Sequence, residues 1–393
     1  MSCKLNDVCE LIVDCPHSTE PDEGEGYPII RTPNIGVGYL DLEGVQRVSK
    51  AAYDRRNIRA VPRPNDLILA REAPAGNVGI IREGMKVCLG QRTVLIRPSA
   101  EKVSPLFLNY YLNAPKQRHA LLSNSNGATV SHVNMPVIRN LVIELPDREA
   151  QDRIADVLSA YDELIENSRR QIKLLEEAAR RLYKEWFIDL KFPGHETTSI
   201  VNGLPEGWRM GCLGECCTLV KTISKQDERT GNELYIGLEH MPKGSICLRA
   251  HGVAADVIGN KTKFQKGDIL FGKIRPYFHK VGFAQFDGIA STDAIVMRAV
   301  EGKQALLLAV TSSDEFVSYA TATSKTGTKM PRADWNAMKS YQIPIPSVDV
   351  ALRFETVYES FVSSIAQCSS LIVAAREARD RLLPKLMSGE IEV

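Results

Sequence analysis

An α+β protein built from two similar globules, each followed by a long helix, is the fold this sequence predicts. Three observations carry that expectation. The chain repeats itself about 200 residues apart, each copy holds short β-rich runs bordered by glycine or proline, and each copy ends in an unbroken heptad seam.

The repeat is clearest where residues 127–146 (GATVSHVNMPVIRNLVIELP) lie against residues 327–346 (GTKMPRADWNAMKSYQIPIP). Both read as a Gly-rich polar turn, a short polar segment and a strand ending in Leu-Pro or Ile-Pro. Residues 63–74 (RPNDLILAREAP) match 265–276 (QKGDILFGKIRP), which sets Asp66 on Asp268 and Arg71 on Lys273. TVLIRP (93–98) matches AIVMRA (294–299), IIRTPNI (29–35) matches YIGLEHM (235–241), and KLNDVCELI (4–12) matches CLGECCTLV (212–220). The offset drifts between matches, so insertions fall in the loops, where compact domains tolerate them.

The runs DLILA, TVLIRP and LVIEL in copy one, and DILFG, AIVMR and YQIPI in copy two, have the composition and borders of strands. Helical patches at 104–114 and 304–320 sit between them. Each copy therefore opens with an α+β globule.

After Pro146 the apolar period changes to 3.5. Ile154, Leu158, Tyr161, Ile165, Ser168, Ile172, Leu175, Ala179, Leu182 and Trp186 alternate at four- and three-residue steps. The same register 200 residues on gives Phe354, Tyr358, Phe361, Ile365, Cys368, Ile372, Ala375, Arg379, Leu382 and Leu386. A strict seam over this length favours a coiled coil over a helix packed on one globule. At 1.5 Å per residue, about 38 residues make a rod about 57 Å long. The simplest arrangement pairs the two helices antiparallel, with a pseudo-two-fold axis relating the copies and Ser168 and Cys368 near mid-seam. The expected boundaries are a globule at 1–147, a long helix at 148–190, a linker at 191–207, a second globule at 208–347 and a second long helix at 348–390.

Composition excludes some functions. Lys and Arg number 49 against 48 Asp and Glu, so a uniformly basic nucleic-acid sleeve is excluded, whereas a local basic face is not. Asp7 and Glu10 interrupt what would be a signal peptide's apolar core, and no contiguous apolar run reaches the length of a membrane span. Nine scattered cysteines read as reduced thiols of a cytoplasmic protein. Cys212, Cys216 and Cys217 cluster without a histidine at zinc spacing, so no metal is expected. The chain carries no Asn/Asp-Pro-Pro-Tyr/Phe methyltransferase motif. Residues 267–274 (GDILFGKI) match a phosphate loop up to Ile274, which lacks the hydroxyl a magnesium ion needs. An enzyme is not expected.

At this point the chain resembles the specificity subunit (HsdS) of type I restriction–modification enzymes. The resemblance spans essentially the whole chain. It rests on the order of globules and helices and on LPDREAQDRIADVLSAYDELIENSRRQIKLLEEAARRLYKEWF (145–187), GLPEGW (203–208), YIGLEHM (235–241) and RLLPKLMSGEI (381–391). The first globule departs from the pattern in lacking a Leu-Pro-x-Gly-Trp lead-in.

The resemblance implies that each globule is a target recognition domain reading one half of a split double-stranded DNA site. It implies that the helices set the gap and dock two methyltransferase (HsdM) subunits, to which restriction (HsdR) subunits add. S-adenosylmethionine, ATP and magnesium would then sit on those partners and none on this chain, and no membrane is involved. The helix residues assigned to spacing and docking are Ile154, Leu158, Tyr161, Ile165, Ile172, Leu175, Leu182, Trp186, Phe354, Tyr358, Phe361, Ile365, Ile372, Leu382 and Leu386.

Direct DNA readout needs donors and acceptors on loops, with cations nearby for phosphates. Such residues recur at matched positions of the two copies. Copy one offers Arg31, Asn34, Arg71, Asn77, Gln91, Arg92, Asn126, Thr129 and His132. Copy two offers His240, Lys273, Arg275, Tyr277, Lys280, Thr292, Lys325, Lys329 and Arg332. The frame agrees between copies while the loop chemistry differs, as two readers of different half-sites require. The alternative is a coiled-coil scaffold with two protein-binding globules, which has no need of that difference.

Overall fold

The computed structural model describes residues 2–123, 132–324 and 330–393. The chain divides into two compact units, Met1–Leu164 with Ala375–Val393, and Ile165–Ala374.

In the first unit, an antiparallel sheet runs in the order Cys9–Asp14, Thr93–Pro98, Leu67–Ala70, Val78–Ile80. The two inner strands are buried along almost their whole length, which is why they read as continuous apolar runs. A smaller sheet sets Tyr27–Ile30 between Arg47–Val48 and Cys88–Leu89, the last pair parallel. Ser2–Lys4 pairs with Val142–Glu144 and brings the start of the globule to its end.

The second unit repeats this plan. Cys217–Leu219, Ala294–Ala299, Ile269–Gly272 and Val281–Ala284 form the equivalent antiparallel order, extended by Cys247–Leu248. Leu234–Ile236 pairs parallel with Gly288–Ala290, as Tyr27–Ile30 does with Cys88–Leu89. Arg209–Cys212 closes on Gln342–Ile345. All six β-rich runs of the sequence are strands.

The duplication extends to buried polar groups. Asp66, 2% exposed, receives Arg97 Nε at 2.8 Å and Nη2 at 2.7 Å. Asp268, 3% exposed, receives Arg298 through the same two atoms at the same two distances. Each carboxylate also accepts a main-chain N–H three residues upstream, from Arg63 and from Gln265. A forked guanidinium–carboxylate pair is both strong and directional, and it pins two neighbouring strands of each sheet.

The helical patches differ from expectation in one respect. Each is two helices rather than one. Pro105–Asn113 is followed by Pro115–Ser123, because Pro115 cannot continue the first. Gln304–Thr311 is followed by Asp314–Ala322, where the Ser313 hydroxyl accepts from Phe316 N and starts a new helix.

The long helices span Arg148–Tyr183 and Val348–Ser388. The second is long and apolar enough by composition to cross a membrane, although its apolar side chains are not contiguous. Its seam faces the first helix. In the first unit Arg379 Nη1 lies 2.5 Å from Asp162 Oδ1, and Arg153 Nε donates to the Val393 carbonyl at 2.5 Å. In the second unit Cys368 Sγ donates to Gln171 Oε1 at 3.2 Å, and Phe354 packs on Trp186 and Phe187. In each unit one helix's numbering rises as its partner's falls, so the pair is antiparallel. The seam residues assigned to docking are mostly covered by this pairing and by the globules: Ile154, Leu158, Ile165, Ile172, Trp186, Phe354, Tyr358, Ile365, Ile372 and Leu386 are buried. Outward apolar side chains are others, such as Leu174 at 65% exposed, Leu371 and Val373.

Arg379, the polar exception in the second seam, is explained by its partner. Asp162 also accepts from Tyr110 Oη at 2.5 Å, so one carboxylate links both helices to the first globule. The two charged side chains are only 11% and 12% exposed. In the second unit, Glu176 leaves its helix to accept from Ser245 Oγ at 2.5 Å and Ile246 N at 3.0 Å. Burial pushes its carboxyl above the ordinary range, against the pull of those two donors. The segment after the first helix is folded rather than loose. Phe187 and Phe192 both pack on Trp208. Cys216 and Cys217 are buried, and burial pushes their thiols up to about 11 and about 12, so they pack as neutral apolar groups.

Two predictions follow from the buried charges. Arg379→Ala strands Asp162 without its cation and lowers unfolding stability by roughly 3 kcal/mol. Adding Asp162→Asn recovers most of that loss, as read by denaturant unfolding. For Glu176, a folded-state pKa above the unfolded one means that its contribution is fully present below the unfolded pKa and is lost as pH rises through the folded value. Glu176→Gln keeps an acceptor for Ser245 and Ile246 and removes the charge. Its stability relative to the parent therefore improves from pH 4 to pH 7 in urea melts, and a gap that stays constant with pH refutes the assignment.

Candidate nucleic-acid interface

The residue that follows the central strand organises one rim of each globule. Arg71 donates its main-chain N–H to the Arg92 carbonyl at 2.9 Å, and its own carbonyl accepts from Val133 N at 3.0 Å. Lys273 makes the same two bonds, to the Asp293 carbonyl at 2.7 Å and from Ala333 N at 2.8 Å. Three loops remote in sequence are thereby fastened to one strand end. Arg71, Arg92 and the segment at His132–Val133 therefore meet in the first globule, as Lys273, Asp293 and the segment at Arg332–Ala333 do in the second.

On this frame the first globule carries a charged network. The Arg71 guanidinium is 9% exposed and lies 2.6 Å from Asp14 Oδ2. It also reaches the Val133 carbonyl at 2.9 Å and His132 Nε2 at 2.6 Å. His132 Nδ1 lies 2.6 Å from Glu72 Oε1, whose other oxygen takes Arg92 Nη1 at 2.7 Å. Arg92, at φ 63°, keeps its side chain 60% exposed.

Arg71 and Asn77 are thus engaged inside the globule and are not presented to a ligand. Asn77 is 7% exposed and donates to the Ile35 carbonyl at 2.9 Å. Gln91 donates to the His17 carbonyl. Asn34 turns back to accept from Arg31 N, while the Arg31 side chain is exposed. Asn126 and Thr129 lie outside the described residues.

The second globule presents a different set. Tyr277 is 51% exposed, and Thr292 and Arg332 are exposed. Arg275 and His279 flank Tyr277 and Phe278 with positive φ of 50° and 52°. The Arg275 guanidinium lies over the Phe278 ring. Lys280 donates to the Leu238 carbonyl at 2.5 Å, and His240 Nδ1 accepts from Gly237 N at 3.0 Å, so both are partly spent on local structure. Lys273 is half-buried. Lys325 and Lys329 lie outside the described residues.

Sequence reasoning missed Asp14 altogether, and it gave no role to Glu72, which follows the strand, or to Asp293, which stands opposite Arg92. Asp14 is 57 residues from Arg71 and reaches it only because Cys9–Asp14 pairs with Thr93–Pro98. No spacing rule announces such a pair. The repeat shows Asp293 opposite Arg92 with its charge inverted, but not that it faces Arg332.

The chain has counterparts among known proteins. Residues 1–177 match the type I restriction modification DNA specificity domain. The MjaIX specificity subunit of Methanocaldococcus jannaschii is 25% identical over 417 residues, covering 99% of this chain and 93% of its own. The EcoBI specificity subunit of Escherichia coli is 28% identical over 148 residues, covering 37% of this chain and 31% of its own. The crystal structure of the type I restriction–modification S subunit from M. genitalium superposes with a TM-score of 0.60 at 15% identity, covering 98% of this chain and 95% of that one, and so shares the fold.

The internal engagement of Arg71 gives a prediction. Arg71→Ala leaves Asp14 and the Val133 carbonyl without their donor, and stability falls by roughly 3 kcal/mol in denaturant unfolding. A variant of unchanged stability would mean that Arg71 is free to meet a ligand.

Proposed function

We propose that this chain, a member of the specificity-subunit family of type I restriction–modification enzymes, reads a bipartite DNA target with one half-site per globule and brings partner subunits to it. The observation that carries this reading is the contrast between frame and rim. The Asp–Arg forks and the main-chain junctions at Arg71 and Lys273 are the same in both globules, whereas the side chains they present differ in type and sign. Two readers of unlike half-sites need that difference. A scaffold with two like protein-binding heads does not.

The exposed Arg31, Arg92, Tyr277, Thr292 and Arg332 are the contacts this reading favours, with Arg71 and Asn77 as supports behind them. The chain itself performs no catalysis. Methyl transfer with S-adenosylmethionine, and translocation and cleavage with ATP and magnesium, belong to methyltransferase and restriction subunits. The assembly works in the cytoplasm. Non-specific phosphate contacts supply affinity and salt dependence, and base-edge contacts supply selectivity.

In this reading the long helices set the gap between half-sites. Four residues inserted after Leu182 lengthen the first helix by about 6 Å. At about 3.4 Å per base pair, the preferred gap grows by one or two base pairs with both half-sites unchanged, at some loss of affinity from the accompanying rotation. The measurement is methylation by the assembled complex on DNAs that differ only in gap length. An insertion mutant that stays active and keeps the parental gap refutes the ruler. The isolated chain is expected to bind DNA and to transfer no methyl group from S-adenosylmethionine. Detectable transfer would contradict the non-catalytic role.

A further inference from the structure

In both globules one turn residue takes part in an ion pair, but its sign is reversed and its partner comes from a different segment. Arg92 and Asp293 are equivalent because their carbonyls accept the same main-chain bond, from Arg71 N and from Lys273 N. His132 and Arg332 are equivalent because each precedes the residue, Val133 or Ala333, that donates to the Arg71 or Lys273 carbonyl. In the first globule the turn carries the cation: Arg92 is held 2.7 Å from Glu72. In the second globule the turn carries the anion: Asp293 faces Arg332 at 3.9 Å. Position 274, which follows Lys273 as Glu72 follows Arg71, is an uncharged isoleucine.

We propose that this turn residue selects one base in each half-site, Arg92 a guanine and Asp293 a cytosine. The inference rests on the reading of the chain as a DNA-specificity subunit and assigns that reading to two side chains. A guanidinium offers two parallel donors to guanine O6 and N7, and a carboxylate accepts from the cytosine N4 amine. The forks on the buried carboxylates of Asp66 and Asp268 keep their sign in both copies, as pairs that serve the fold would. The turn residue does not keep its sign, and it stays open to solvent in both copies, Arg92 at 60% and Asp293 at 36%. Glu72, 16% exposed, is a positioning residue that fixes the fork of Arg92.

The left-handed φ of Arg92 provides a clean variant. Glycine adopts φ 63° without the steric cost an L side chain incurs, so Arg92→Gly removes the contact without straining the turn. The full chain, purified with the subunits that assemble on it, is used to select DNA from a library randomised over both half-sites. The parent is expected to select a guanine in one half-site and a cytosine in the other. Arg92→Gly loses preference at that single guanine by about 5- to 150-fold and leaves the other half-site intact. Asp293→Asn does the same at one cytosine of the other half-site. Glu72→Gln weakens the same guanine preference as Arg92→Gly and no other.

A parent that selects a split motif while Arg92→Gly and Asp293→Asn retain every base preference overturns this inference alone. So does a loss that falls equally on both half-sites, or on bases other than guanine and cytosine respectively. A parent that selects no split motif overturns the specificity-subunit reading together with it.

Discussion

Everything presented at the rim of each globule depends on one main-chain junction. The strand Leu67–Ala70 ends in Arg71, and Ile269–Gly272 ends in Lys273. Arg71 donates to the turn before Thr93–Pro98 and accepts from Val133, and Lys273 donates to the turn before Ala294–Ala299 and accepts from Ala333. These bonds use backbone groups, so they constrain loop position without constraining loop side chains. A buried N–H or carbonyl must be paired whatever residue carries it. The same junction can therefore hold Arg92, Glu72 and His132 in one copy and Asp293, Ile274 and Arg332 in the other.

Beneath the junction, the polar groups that are buried serve geometry. Asp66 and Asp268 each take a forked arginine and an upstream N–H, which fixes the stagger of strands whose apolar faces alone would tolerate slippage. Asp162 does the same for the helices of the first unit by holding Arg379 and Tyr110 at once. Glu176 and Glu355 tie the helices to the second globule through main-chain N–H groups. Each pair is costly if one member is lost, which specifies register more sharply than apolar packing does.

Much of this was legible in the residues. The strands were readable because their inner members are apolar on both faces and end at glycine or proline. The helices were readable because a strict a/d seam of that length has few other uses. The repeat itself was legible in Asp66 against Asp268 and in the paired strand motifs, although nothing in those strings says that Arg97 and Arg298 close on the aspartates.

The sequence by itself determined the architecture: element types, the duplication and the antiparallel pairing follow from periodicity and registers that any fold must satisfy locally. The tertiary structure alone decided which loop cations are free. Arg71 and Arg92 look alike in the sequence, since each borders a strand, Arg71 just after Leu67–Ala70 and Arg92 just before Thr93–Pro98. Arg71 is spent because Asp14, 57 residues away, lies on the strand paired to Thr93–Pro98, whereas Arg92 stands at the solvent edge of the same network. Whether a charge is a support or a contact depends on its neighbours in space, and strand pairing sets those neighbours at separations that no local pattern encodes.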